Sequence, residues 1–215
     1  MNLDPLAQFL QTRLNDPMPG MEASKEMFPV LANGDRIRME HDEKAREGAV
    51  MILLYQDEGT VRFPIIQRPI YPGVHSGQMA LPGGKSEEDD KDLIATALRE
   101  MEEEIGVPAN DVEVIGSLSS FYVAVSNFQI LPVIGLTRKQ PVYVPQQSEV
   151  ADIISADLSH LINDAYRKEK EMVVTGGVIL RSPYFDLEGR EVWGATSMML
   201  NEFKVILKGM ENRFD

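Results

Sequence analysis

A chain of 215 residues with a net charge of −13 and no cysteine is long enough to bury one sizeable core. It excludes disulfides and thiolate metal sites, and its acidity argues against a nucleic-acid surface, which needs a basic face. No apolar run is long enough to cross a bilayer, so a cytoplasmic protein without a membrane partner is expected; a small anionic substrate stays compatible, because a metal and a few local cations reverse the field inside one cleft.

In chain order, Leu3, Leu6, Phe9, Leu10 and Leu14 predict an amphipathic helix over 3–15, in a stretch without the character of a signal peptide. A polar, partly helical lead-in follows over 16–45. Ala49 to Tyr55 and Val61 to Gln67 read as strands joined across Asp57-Glu58-Gly59. Val112 to Val123 and Phe128 to Leu136 read as two more, with Val142 to Val144 a short continuation. Val150 to Ile162 is mixed, and Ser155, Asp157 or Ser159 can cap a helix there. Val173 to Leu187 and Arg190 to Trp193 suggest an antiparallel pair around Glu188-Gly189, and Met199, Phe203 and Ile206 mark the core side of a final helix. The order implies a mixed β-sheet between helices, an α/β/α sandwich.

The chemistry concentrates between Leu81 and Val107. Leu81-Pro82-Gly83-Gly84-Lys85 is a glycine loop, and the segment ending in Arg99-Glu100-Met101-Glu102-Glu103-Glu104-Ile105-Gly106 is a helix with Gly106 as its left-handed cap and Pro108 barring a restart. At 100° per residue Glu100, Glu103 and Glu104 share one arc, while Ile94, Leu98, Met101 and Ile105 share an apolar stripe. Thr96 and Ala97, one turn earlier on the acidic side, are small and leave room for a ligand. Like charges at these spacings cost a helix a few tenths of a kcal/mol each, and a cation offsets that cost. Carboxylate oxygens suit Mg²⁺ or Mn²⁺, which bridge to substrate phosphates. Arg99, one turn before Glu103, is placed to hold that carboxylate in one rotamer. A charge run of this kind is more often a solvated face, but such a face does not require a glycine loop before it or an arginine in that register.

At these residues the chain resembles the Nudix hydrolases, whose box runs Gly, five residues, Glu, seven residues, then Arg-Glu-aliphatic-x-Glu-Glu-x-Gly-aliphatic. Arg99, Glu100, Met101, Glu103, Glu104, Gly106 and Val107 match its second half, and the first half is one residue longer. That longer spacing, with Gly83, Gly84, Glu87, Asp90, Ala97 and Leu98, is similar to the coenzyme A pyrophosphatase branch, as is His75-Ser76-Gly77-Gln78 before the box. The branch usually carries an arginine just before that histidine; here the stretch is Tyr71-Pro72-Gly73, and Arg68 is the nearest upstream cation.

The resemblance implies a Nudix-type fold over 46–215 behind an N-terminal helical extension, 1–45, whose role is either a dimer contact or a lid. It implies metal ligands at Glu100, Glu103, Glu104 and the Gly83 carbonyl, with Glu103, Glu149 and Arg99 as the catalytic set. Glu149, in Gln146-Gln147-Ser148-Glu149-Val150, is the choice for the additional carboxylate that such enzymes take from a distant loop, as ligand or general base. Arg68 and Lys85 are candidate phosphate contacts, and His75 either binds phosphate or braces the glycine loop. Asp90 supports that loop or caps the helix. Tyr71, Phe121, Tyr122 and Phe128 either stack on an adenine or belong to the core. The expected reaction is metal-dependent hydrolysis of a diphosphate linkage, in which cations lower the pKa of coordinated water and spread the developing charge. The expected substrate is coenzyme A or a thioester of it. The alternatives are another nucleoside diphosphate derivative, such as ADP-ribose or a dinucleotide, and a non-catalytic nucleotide-binding module; the intact Glu100, Glu103 and Glu104 argue against the last. A homodimer is left open.

Overall fold

A strand of twelve residues, Arg46–Asp57, organises the molecule, because apolar residues at every position from Ala49 to Tyr55 bury both of its faces. The computed structural model describes residues 1–31, 33, 44–73, 75–174 and 177–211. Within them the helices are α1 (Leu3–Arg13), α2 (Met21–Ser24), α3 (Leu93–Ile105), α4 (Leu158–Ile162) and α5 (Gly194–Glu211). The strands are β1 (Val30–Leu31), β2 (Arg46–Asp57), β3 (Thr60–Gln67), β4 (Met79–Ala80), β5 (Gly83–Lys85), β6 (Glu113–Ser117), β7 (Phe121–Val123), β8 (Phe128–Thr137), β9 (Asp152–Asp157), β10 (Arg167–Val174), β11 (Val178–Leu187) and β12 (Arg190–Trp193). No helix among the described residues is long and apolar enough to cross a membrane.

Eight strands form a mixed sheet with the path β4-β3-β2-β8-β6, to which β5, β7 and β9 attach on β2, β8 and β3. β2 and β8 run parallel, from Arg46 opposite Phe128 to Tyr55 opposite Thr137, and the other pairings are antiparallel. The period of two sends alternate residues to opposite layers. Val50, Ile52, Leu54, Ile134 and Leu136 join a core with α1, α4 and α5, whereas Ala49, Met51, Leu53 and Val133 join one with α3. This is the expected α/β/α sandwich. A second, four-stranded antiparallel sheet, β1-β11-β10 with β12 on β11, packs beside it.

Several local expectations are corrected. Val112 to Val123 is two short strands, because the register shifts between Val114 and Gly116 and residues 118–120 leave the ladder. Val142 to Val144 is not a strand; both valines are exposed, and the Val144 N–H is taken by the last helical carbonyl of Ile105. Val173 to Leu187 is not one strand: β10 ends at Val174 and pairs antiparallel with β11 from Val178, and β10 begins at Arg167, where alternating Lys and Glu concealed a solvent-facing strand. The turns at Glu58-Gly59 and Glu188-Gly189 do form, both residues of each having positive φ as a two-residue hairpin of this twist requires. The 16–45 lead-in contains α2, a 3-10 turn at Lys25–Met27 and β1; its remainder at 32 and 34–43 lies outside the described residues.

Candidate active site

α3 begins at Asp92, whose side chain caps it by accepting the Ala95 N–H (2.8 Å), and ends at Gly106 with φ 74°. Asp90 is therefore not the helix cap. Its carboxylate receives two bonds from Arg99, Nε to Oδ1 (3.0 Å) and Nη2 to Oδ2 (2.9 Å), together with the Thr96 hydroxyl and the Glu87 N–H. The Arg99 guanidinium holds the Asp90 carboxyl well below the usual carboxylate range, with the Glu87 and Thr96 bonds adding to the effect. Arg99 also donates to Glu100 Oε1 (3.0 Å), Glu103 Oε2 (3.2 Å) and the Lys85 carbonyl (3.0 Å). One side chain thus ties the acidic helix to the glycine strand and to the loop between them. Thr96 and Ala97 do not leave room for a ligand, since both are fully buried; the face of α3 turned to the sheet runs through Ala97, Met101, Glu104 and Ile105, with Ile94 and Leu98 at its margin.

That rotation puts Glu104 inside. Only 2% exposed, it accepts the Gly83 N–H on Oε2 (2.8 Å). Burial pushes its carboxyl up to about 7; the Gly83 N–H and Arg68 counter the rise, and Glu100 and Glu149 add to it. Glu100 is likewise raised, chiefly by burial, with Arg99 opposing and Glu103 and Glu149 reinforcing. The two glycines are required by close approach. A Cβ on Gly83 would lie 2.3 Å from the Ala49 carbonyl oxygen, and one on Gly84 would lie 2.5 Å from the Glu100 carboxylate.

Arg68, His75, Gly83, Lys85, Glu100, Glu104 and Glu149 come together around one cleft of about 380 Å³, an ordinary size for a small-molecule site. Arg99 and Glu103 stand outside it on the neighbouring surface, with the Glu103 side chain 58% exposed and paired to Arg99. His75, at φ 66°, donates from Nδ1 to Gln78 Oε1 (3.0 Å) and braces the turn before the glycine strand while still facing the cleft. Of the four aromatic candidates, Phe121 is core and Phe128 lines the cleft, its outer face covered by the Arg46 guanidinium at 4.2 Å. Tyr122 donates to Asn127 Oδ1, and Tyr71 is exposed, its N–H held by the Ser76 hydroxyl.

Among the described residues no three His, Asp or Glu side chains are drawn closely enough together to hold an ion as they stand. The donor set nevertheless suits a hard divalent cation: Glu100, Glu104 and Glu149 face one cleft, and Glu100 and Glu104, raised chiefly by burial, are raised further by their acidic neighbours, a repulsion that a cation relieves. Sequence reasoning did not find Val123, Ile130, Ala195 and Met199, which also line the cleft; in the sequence they are indistinguishable from ordinary core positions of a strand and a helix.

A sequence model of the NUDIX domain matches residues 45–157. The chain is 36% identical over 164 residues to Nudix hydrolase 15, mitochondrial, of Arabidopsis thaliana, an alignment covering 73% of this chain and 57% of that protein. It is 42% identical over 84 residues to a Nudix hydrolase NudL of Pectobacterium atrosepticum, covering 39% of this chain and 43% of that one. The chain thus spans about half the length of these curated relatives. Among solved structures, a C. elegans Ap4A hydrolase binary complex superposes with TM-score 0.52 at 13% identity, over 76% of this chain and 98% of the other. At that identity the likeness is one of fold.

Proposed function

Because the chain belongs to the Nudix family, we propose that its cleft is the site of divalent-metal-dependent hydrolysis of a diphosphate linkage in a nucleoside diphosphate derivative. The observation that carries this reading is the convergence of Glu100, Glu104 and Glu149 with Arg68 and Lys85 on one cleft beside the Gly83-Gly84 strand. Glu100, Glu103, Glu104 and the Gly83 carbonyl would hold Mg²⁺ or Mn²⁺, Glu103 by leaving its exposed pairing with Arg99. Such a cation neutralises charge that builds on the phosphate oxygens and acidifies a water beside phosphorus.

The chain's own residues do the rest. Arg68 and Lys85 bind non-bridging phosphate oxygens, and their positive charge orients the diphosphate across the glycine strand. The Glu149 carboxylate, on an exposed loop at the rim and not already committed to Arg99 or Gly83, accepts a proton from the attacking water. Arg99 touches no substrate; it positions Glu100, Glu103 and the Lys85 backbone. His75 fixes the turn that carries Gln78 and the start of β4.

The substrate favoured by the spacing before Arg99 and by His75-Ser76-Gly77-Gln78 is coenzyme A or a thioester of it. Water would split its diphosphate to 4′-phosphopantetheine, or the acyl form, and adenosine 3′,5′-bisphosphate. Hydrolysis of a panel of coenzyme A, dephospho-coenzyme A, ADP-ribose and a dinucleoside polyphosphate, with Mg²⁺ and with Mn²⁺, tests this. Preferential release of the 3′,5′-bisphosphate is expected. Preference for ADP-ribose or the dinucleotide would keep the diphosphate chemistry and overturn the coenzyme A assignment, and binding without turnover would leave a nucleotide-binding module.

A further inference from the structure

Two chemically different sets of residues line the cleft. One is Arg68, Lys85, Glu100, Glu104 and Glu149; the other includes Val123, Ile130, Ala195 and Met199, and both line a single cavity. The polar set lies wholly within the residues that match the family's domain, 45–157. Ala195 and Met199 lie beyond it, in the first two turns of α5. They are held in place from both sides. The Thr196 hydroxyl donates to the Met79 carbonyl in β4 (3.3 Å), and α5 packs along β7 and the second sheet. The wall is therefore attached to the strand that leads into the glycine loop, and its distance from the diphosphate site is set by the fold.

Val123 and Met199 are already only 6% and 3% exposed, so the gain on binding belongs to the ligand that lies against them. An apolar arm laid against these side chains would itself leave water, at roughly 0.8 kcal/mol for each methylene fully buried. Methionine suits such a partner, since its unbranched thioether adapts to an alkyl or thioether chain. We propose that Val123, Ile130, Ala195 and Met199 form a subsite for an apolar arm carried on the diphosphate, so that α5, outside the matched domain, selects the substrate by that arm. The proposal rests on the pyrophosphatase reading only for the placement of the diphosphate.

The test uses adenosine diphosphate esterified at the β-phosphate with ethyl or octyl, each also made with a methylene bridge between the phosphorus atoms so that the bridge is not cleaved. Calorimetry on the methylene-bridged pair in Mg²⁺ is expected to show the octyl ligand binding at least about tenfold more tightly than the ethyl one. Ala195→Phe, which fills the wall without removing core volume, is expected to abolish that advantage while changing the ethyl ligand's affinity less than about twofold. Met199→Leu, of similar volume, should retain it. Equal binding of octyl and ethyl ligands to the unaltered chain would overturn the subsite, as would an advantage that survives in Ala195→Phe. Turnover of the cleavable esters is read separately: chain-length discrimination without hydrolysis would sink the enzymatic reading and leave the subsite standing, whereas hydrolysis blind to chain length would do the reverse.

Discussion

At the scale of single residues, Glu104 is the group whose environment departs furthest from what its surroundings in sequence suggest. A glutamate with a folded pKa of about 7 against an ordinary 4.5 binds its proton more tightly when folded. Its contribution to stability is therefore fully present below about pH 4.5 and is lost as pH rises through 7, a difference on the order of 3 kcal/mol. The metal-free protein is expected to lose thermal stability between pH 5 and 8 through this group, and the loss should be absent in Glu104→Gln. Added Mg²⁺ should raise Tm more at pH 8 than at pH 5, because the cation binds the ionised form; an equal rise at both would argue against Glu104 as a ligand. Glu149 makes a kinetic prediction instead. Glu149→Gln should lower kcat about a hundredfold with KM changed much less, the usual cost of losing a general base. A steady-state comparison checks this, and unchanged kcat would move the base to another residue.

At the scale of elements, α3 illustrates how a helix carries a site. Its C-terminal end was legible because Gly106 and Pro108 punctuate it and because acidic and apolar residues alternate at helical spacing, whereas its N-terminal cap is Asp92 and not the Asp90 that the sequence offered. Its rotation on the sheet was not. The apolar stripe predicts an axis of burial through Ile94, Leu98 and Met101, but Ala97 is the residue small enough to let the helix approach β2, so the buried face turns toward Ala97 and carries Glu104 inward. Arg99 and Asp90 then lock the loop, and Asp90→Asn is expected to cost about 2 kcal/mol, since a partly buried guanidinium–carboxylate pair loses its charge on one side. Chemical denaturation would register this as a lower midpoint at unchanged slope. The second sheet shows why an element can escape a hydrophobic reading. Lys168 pairs with Asp186 (2.6 Å) and Lys170 with Glu191 across the sheet, so β10 is stabilised by charge. It places lysines on one face and glutamates on the other, and residues opposed in a two-fold antiparallel pairing share a face. A second copy added at that edge would therefore oppose like charges, which protects the strand from self-association.

At the scale of the whole molecule, α1 packs into the main core. Leu6 and Leu10 are fully buried in the cluster that contains Phe203 and Leu207 of α5. Glu202, buried in the middle of α5, accepts the Gly20 N–H (2.7 Å) and the Ser119 hydroxyl (2.7 Å) and N–H (3.2 Å), joining the lead-in, the main sheet and the last helix at one carboxylate. We therefore expect removal of residues 2–14 to give a chain that is aggregated or lacks a cooperative unfolding transition, because it would expose several leucine-sized surfaces worth about 2 kcal/mol each. Glu202→Ala should leave that core in place, cost about 1–3 kcal/mol, and raise amide exchange around residues 18–24 in hydrogen-exchange mass spectrometry. A soluble, cooperatively folding truncation would show instead that 1–45 is a separable extension.

What the sequence by itself determined was the local chemistry: the glycine loop, the acidic helix with its Gly106 cap, the hairpin turns at Glu58-Gly59 and Glu188-Gly189, and the alternation of strands that makes an α/β/α sandwich. Each depends on contacts or dihedral preferences within a few neighbouring residues, where spacing alone carries the information. Only the tertiary structure decided that Glu104 is buried and Glu103 exposed, that Asp90 serves Arg99 and not the helix end, and that Ala195 and Met199 line the same cleft as the carboxylates. Those outcomes depend on how helices rotate against a sheet and on which distant segments close the same cavity. Packing settles them by volume and approach, over separations in the chain at which no periodic pattern survives.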